Sequence, residues 1–133
     1  MASRTHAANQ TELPRGTLVG LLLGAIDRLD DHAAFHLFRG TGPELTAVTY
    51  HELFDRVRDV VGALRVLGLE RGDRVAILSE NRFEWALIDY ACLLEGVLDV
   101  PVHAVLTADQ AGYILNDSGA RVIFASTSEQ LEK

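Results

Sequence analysis

Few side chains in this sequence are of types that do chemistry, and their spacing limits what they could do. There are five histidines: His6, His32, His36, His51 and His103. His32 and His36 are four positions apart. His36 falls in an expected strand, so the two need not share a face, and no cysteine or carboxylate cluster completes a metal site. The single cysteine, Cys92, lies in an apolar helical stretch and reads as inert core rather than a reactive thiol. Arg71-Gly-Asp-Arg74 precedes a strand and holds one glycine, so it is neither a Walker loop nor a dinucleotide loop. A helix-to-strand turn accounts for it better than an adhesion tripeptide. Lysine occurs once, as Lys133, against eleven arginines. Chemistry that needs an internal phosphate-gripping or catalytic lysine is therefore excluded. Asn9-Gln-Thr11 and Asn116-Asp-Ser118 match a glycosylation sequon, and both read as chance matches.

The elements that would position such residues are clearest from Arg74 to Ala125. Arg74-Val-Ala-Ile-Leu-Ser79 is an apolar run without alternation, as in a strand buried on both faces. A helix is expected over about 82–96, a strand over 97–103, a helix over about 108–117 and a strand over 121–125. Two consecutive βαβ units imply a parallel sheet with right-handed crossovers and helices on both faces. Such a scaffold names no function by itself.

Upstream, residues 1–16 are polar and aperiodic and read as a flexible tail. Thr17 is a candidate N-cap for a helix whose apolar face is Leu18, Leu21, Leu22, Ala25, Ile26 and Leu29. Gly20 and Gly24 weaken that helix, so it needs packing. Arg4 and Arg15 precede the run as in a signal peptide. The run passes directly into Asp27-Arg-Leu-Asp-Asp31 without a small-residue cleavage site, and it is too short to span a bilayer. Residues 34–39 and 45–49 suggest a hairpin around Gly40-Thr-Gly-Pro43.

Thr49-Tyr-His-Glu52 is a capping box, with Val48 and Leu53 placed for a hydrophobic staple. The helix carries a stripe of Leu53, Val57, Val60, Val61, Leu64 and Leu67, an expected Glu52–Arg56 ion pair, and Gly68 as its stop. Asn81 with Glu84, Thr107 with Gln110, and Ser126 with Glu129 resemble further capping arrangements. Gly119 ends the fourth helix. The helix over 82–96 is apolar nearly all round, as in a helix buried within something larger. The helix announced at Ser126 has about one turn of body. The chain therefore reads as the front part of a larger domain.

The net charge of −7 excludes a basic nucleic-acid interface and attraction to an anionic membrane. One cysteine gives no disulfide framework and is compatible with a cytoplasmic location.

These residues resemble a family. Arg71-Gly-Asp-Arg-Val-Ala-Ile-Leu-Ser-Glu-Asn-Arg-Phe-Glu-Trp-Ala86 is similar to the start of the long-chain fatty-acid–CoA ligases, members of the AMP-binding, adenylate-forming superfamily. The likeness continues through Thr49-Tyr-His-Glu-Leu53, Gly96-Val-Leu-Asp-Val-Pro-Val102, Leu106-Thr-Ala-Asp-Gln110 and 113–124. It covers about 17–133, which is expected to be the N-terminal portion of the large AMP-binding domain. His103-Ala104 departs from the usual aromatic–proline pair. His103 sits at a strand's C-terminal end, where ligands approach such sheets, and reads as an ordinary loop histidine.

The resemblance implies a two-step reaction. ATP activates a fatty acid as acyl-adenylate, and coenzyme A then takes the acyl group. Mg2+ accompanies ATP. In the family the phosphate loop, the nucleotide-contacting motifs and the lid lysine lie downstream. No catalytic, cofactor-binding or metal-ligating residue is therefore assigned here, and the chain alone is expected to be inactive, with the rest of the ligase chain as its partner. Two alternatives stand beside this reading: a small flavodoxin-like binding domain, and a truncated non-catalytic paralogue acting as an interaction protein. Exposed edge and apolar surface would make the isolated chain prone to self-association.

Overall fold

The computed structural model describes residues 16–38 and 40–133. The tail expected over 1–16, apart from Gly16, lies outside the described residues. So do His6, Arg4, Arg15, Arg39 and the sequon at Asn9. The elements run α1 (Leu18–Leu29), β1 (Ala33–Phe38), β2 (Leu45–Thr49), α2 (Tyr50–Val66), β3 (Arg74–Ser79), α3 (Phe83–Glu95), β4 (Leu98–His103), α4 (Ala108–Ser118), β5 (Val122–Ala125) and α5 (Ser128–Leu131).

The three later strands form a parallel sheet in the order β4-β3-β5. β3 lies at the centre, and its Val75, Ala76, Ile77 and Leu78 are all buried. This explains its lack of alternation: both faces are covered. Val75 joins a cluster with Leu53, Val57 and Leu64 of α2, Ala91 and Cys92 of α3, and Leu22 of α1. Ala76 and Leu78 point to the other face and pack with Val102 and Ala111, the latter from α4. Helices therefore cover both faces. The hairpin β1–β2 is antiparallel with an irregularity between Ala33 and Phe35. It docks through Phe35, which meets Phe83 edge-on at 5.2 Å and 68°. Phe38 points outward.

Local signals set most helix ends. Thr17 Oγ1 accepts the Gly20 amide at 3.0 Å and begins α1. Thr49 and Glu52 form the reciprocal box at 3.1 and 2.9 Å, and Thr107 with Gln110 form a second. Val48 and Leu53, the staple pair, are both buried. Gly68, at φ 70°, lets the Gly68 amide reach Arg65 O at 3.0 Å and the Leu69 amide reach Leu64 O at 3.2 Å, the paired bonds of a Schellman motif.

Several local expectations fail because another partner, near or distant along the chain, takes the side chain. The N-cap of α3 is Arg82, not Asn81, and it makes no side-chain cap bond. Glu84 is bound instead by Arg82 Nε at 2.8 Å. The N-cap of α5 is Thr127, not Ser126. The Ser126 hydroxyl donates to Glu80 Oε2 at 2.7 Å. The Glu52–Arg56 pair is absent among the described residues. Glu52 is occupied by the box, and Arg56 stacks 5.4 Å from the Phe83 ring centroid. Leu18, Leu21 and Leu67, expected on buried stripes, are exposed.

Candidate functional site

Ligands of open α/β sheets approach the carboxyl ends of the strands. Here that end is the rim Ser79, His103 and Ser126, with the loops that follow β3, β4 and β5. Parallel register places Ser79 beside His103 and Leu78 beside Ala125. Glu80 anchors the rim. One carboxylate oxygen accepts the Ser126 hydroxyl at 2.7 Å, and the other accepts Gln130 Nε2 at 3.4 Å. These bonds, Ser126 first, hold the Glu80 carboxyl below its usual range. Arg82 donates from Nη1 to Ser126 O at 3.1 Å and from Nε to Glu84. The Glu84 carboxyl is lowered by that bond, and the Arg82 guanidinium is raised. Lys133 Nζ crosses the rim and donates to Ala104 O at 2.5 Å and Leu106 O at 2.9 Å.

Both rim carboxylates are thus held charged by partners within the chain. They are poorly suited to act as general acids at neutral pH. Beside them lies a mostly apolar cavity of about 190 Å³, lined by Ile77, Trp85, Ile88 and Phe124 together with Ser79, Arg82 and Glu84. Its walls come from α3 and from the β3–β5 side of the sheet. It can hold a small apolar group.

The opposite end of the sheet is built differently. Arg74 Nε donates to Ser118 O at 2.9 Å and satisfies the end of α4. Arg121 pairs with Asp73, whose carboxyl is lowered first by the Glu70 amide and further by Arg121. The left-handed glycines Gly68, Gly72, Gly96 and Gly119 are all at this end. The loops leaving the carboxyl ends, 80–82, 104–107 and 126–127, hold no glycine. A triphosphate needs a run of backbone amides that side chains do not obstruct. The residues present do not form that cradle. Among the described residues, no group of three His, Cys, Asp or Glu is placed to hold a metal ion. Among the described residues these loops offer no such cradle for Mg2+–ATP, and no step is derived through it.

The sequence-flagged residues fall in separate places. His103 is on the rim, with its ring exposed. His32 and His36 flank and lie in β1, both exposed. His51 is remote from the rim and contacts Asp30 at 3.1 Å and Asp55 at 3.5 Å, tying α2 to the end of α1. Cys92 is fully buried, and burial first, with Asp99 and Asp89 adding, pushes its thiol up to about 12. It is inert, as its setting in the sequence suggests. Glu80, Arg82 and Ser126 were not singled out for the rim by any local signal, because their partners are 44 to 46 residues away.

Among the described residues, no helix is long and apolar enough to cross a membrane. Residues 25–133 match the family described as AMP-binding enzyme. The long-chain-fatty-acid–CoA ligase FadD15 of Mycobacterium bovis is 42% identical over 82 residues, which is 62% of this chain and 14% of that protein. The 2-succinylbenzoate–CoA ligase of Oceanobacillus iheyensis is 40% identical over 83 residues, 62% of this chain and 17% of that protein. The solved N-terminal subdomain of Klebsiella oxytoca NpsA superposes with a TM-score of 0.69 at 26% identity, over 79% of this chain and 26% of the subdomain. The chain thus spans about a seventh of the curated relatives and a quarter of that solved subdomain.

Proposed function

The chain belongs to the AMP-binding enzyme family, and from that premise we propose that it is the N-terminal portion of an ATP-dependent long-chain fatty-acid–CoA ligase. In this reading residues 17–133 form the domain portion, and the rest of the ligase chain is its partner. The whole enzyme would convert fatty acid, ATP and coenzyme A to acyl-CoA, AMP and pyrophosphate, with Mg2+ accompanying ATP. The reacting groups would lie outside these 133 residues, and the protein would work in the cytoplasm.

The observation that carries the substrate class is the 42% identity to a long-chain ligase over 82 residues. A 2-succinylbenzoate–CoA ligase is 40% identical over 83 residues, so substrate choice has to be tested. Reading the coding frame past Lys133 is the first step: a glycine-rich phosphate loop downstream supports the ligase, and a natural stop favours a non-catalytic paralogue. With the extended protein, coenzyme A thioester formation from palmitate is expected to exceed that from benzoate or 2-succinylbenzoate. Preference for an aromatic acid would reject the long-chain assignment.

A further inference from the structure

We propose that residues 126–133 form a polar strap across the carboxyl end of the sheet, that Glu80 is its buckle, and that the strap releases while the sheet beneath it stays folded. The segment touches the loop after each strand. Ser126 follows β5; its hydroxyl donates to Glu80, and its carbonyl accepts from Arg82, both in the loop after β3. Gln130 Nε2 donates to the other Glu80 oxygen. Lys133 Nζ then reaches Ala104 and Leu106 in the loop after β4. With the strands in the order β4-β3-β5, this path runs over the end of the central strand. That is the end from which ligands approach such sheets.

What holds the strap differs from what holds the sheet. α5 has four residues and buries none of them. A single helical turn does not persist without outside contacts. Leu131, its one apolar side chain, is exposed, so polar bonds carry the attachment. Gln130 Oε1 is shielded from water and finds no partner among the described residues, which favours opening. Val75 to Leu78 of β3, in contrast, are buried from both sides. A segment with few buried apolar contacts opens at far lower free energy than such a core. Glu80 concentrates the attachment, because one carboxylate takes two of the strap's donors and charge-assisted bonds are the stronger kind. Of the charged groups around it, Arg82 favours the carboxylate, and Glu84 is bound by Arg82. Glu129 and Lys133 belong to the strap, with Lys133 turned to the β4 loop. His103 stands at the β4 end, beside Ser79.

The strap concerns the 133-residue chain itself and does not depend on the ligase reading. Amide nitrogen relaxation on the purified chain reads strap and sheet separately. At neutral pH the order parameters over 127–132 should match those of β3, about 0.85, and Glu80→Ala should bring them below about 0.6 with β3 unchanged. Ser126→Ala, which removes a donor from the strap's side, should loosen the same residues. Glu80→Gln keeps an acceptor for Ser126 but loses the charge, so its order should lie between wild type and Glu80→Ala at every pH. The Glu80 carboxyl is held below its usual range. Its contribution is therefore full above the released value and is lost as pH falls through the strapped one. Wild-type order over 127–132 should accordingly drop to the Glu80→Gln level below the ordinary carboxylate range. Order unchanged in Glu80→Ala or in Ser126→Ala, loosening that spreads equally into β3, or a wild-type strap indifferent to pH would each overturn the proposal.

Discussion

The two faces of the parallel sheet are closed to different depths. On one face α2 and α3 lie over Val75, α1 packs against them, and the hairpin closes the flank through Phe35. Ten residues of that cluster are buried. On the other face α4 stands nearly alone over Ala76 and Leu78, and only four residues are buried. Around α4, Val105 and Tyr113 are exposed, and Leu106, Ile114 and Leu115 are half-covered. The difference separates two jobs. The first face is a completed core that can hold strand positions without help. The second is left largely open, and the chain spans a quarter of a solved N-terminal subdomain.

The largest effect should come from breaking the closed face. Leu53→Ala removes a side chain that is 1% exposed, and it should cost about 2–5 kcal/mol through lost burial and a residual cavity. Ile114→Ala, on the open face, should cost about 1 kcal/mol or less, since solvent already reaches the site. Urea unfolding of the two variants side by side tests the asymmetry. Equal losses would erase it.

Next in size is the loss of a helix start. Thr49→Ala should destabilise by about 1 kcal/mol, because the reciprocal box at the head of α2 is lost. Coincident denaturation midpoints for variant and wild type would show that α2 does not depend on that cap.

This second prediction was legible in the sequence, and the reason is physical. Thr49, Glu52, Gly68, Thr107 and Gly119 act through bonds that close within a few residues, so pattern and outcome coincide. Parallel strands were legible in the same way, from apolar runs of strand length that are uninterrupted in β3 and β5 and broken in β4 by Asp99. The rim was not. At Asn81 and at the Glu52–Arg56 pair a nearer neighbour, Arg82 or Thr49, takes the acidic partner. Ser126 and Arg56 are instead drawn across the fold, to Glu80 and to the Phe83 ring, where a well-placed distant group outcompetes a solvent-exposed local one. The imbalance between the two faces was only partly foreseen. The sequence showed α3 to be too apolar for a single contact, but not that α4 would be the less covered helix.

A smaller effect sharpens the picture of the closed face at its β4 margin. Asp89 on α3 lies near Asp99 on β4, and burial first, then that neighbouring carboxylate, raises its carboxyl above the usual range. A raised carboxyl favours the protonated form in the folded state. Its contribution is fully present below the unfolded value and is lost as pH rises through the folded one. Asp89→Asn should therefore raise the melting temperature at neutral pH. The gain should disappear as pH falls below the ordinary carboxylate range. A gain independent of pH, or a loss at neutral pH, would mean the two carboxyls do not oppose one another.

The central claim is that these residues supply scaffold and not reacting groups. The most direct test is fatty-acid-dependent ATP–pyrophosphate exchange by the purified 133-residue chain with Mg2+ present. No glycine-bearing loop lies at the carboxyl end of the sheet, and no internal lysine is available to stabilise charge on a transferring phosphate. The predicted result is exchange no greater than a protein-free blank. Exchange above that blank, dependent on added fatty acid, would contradict the account.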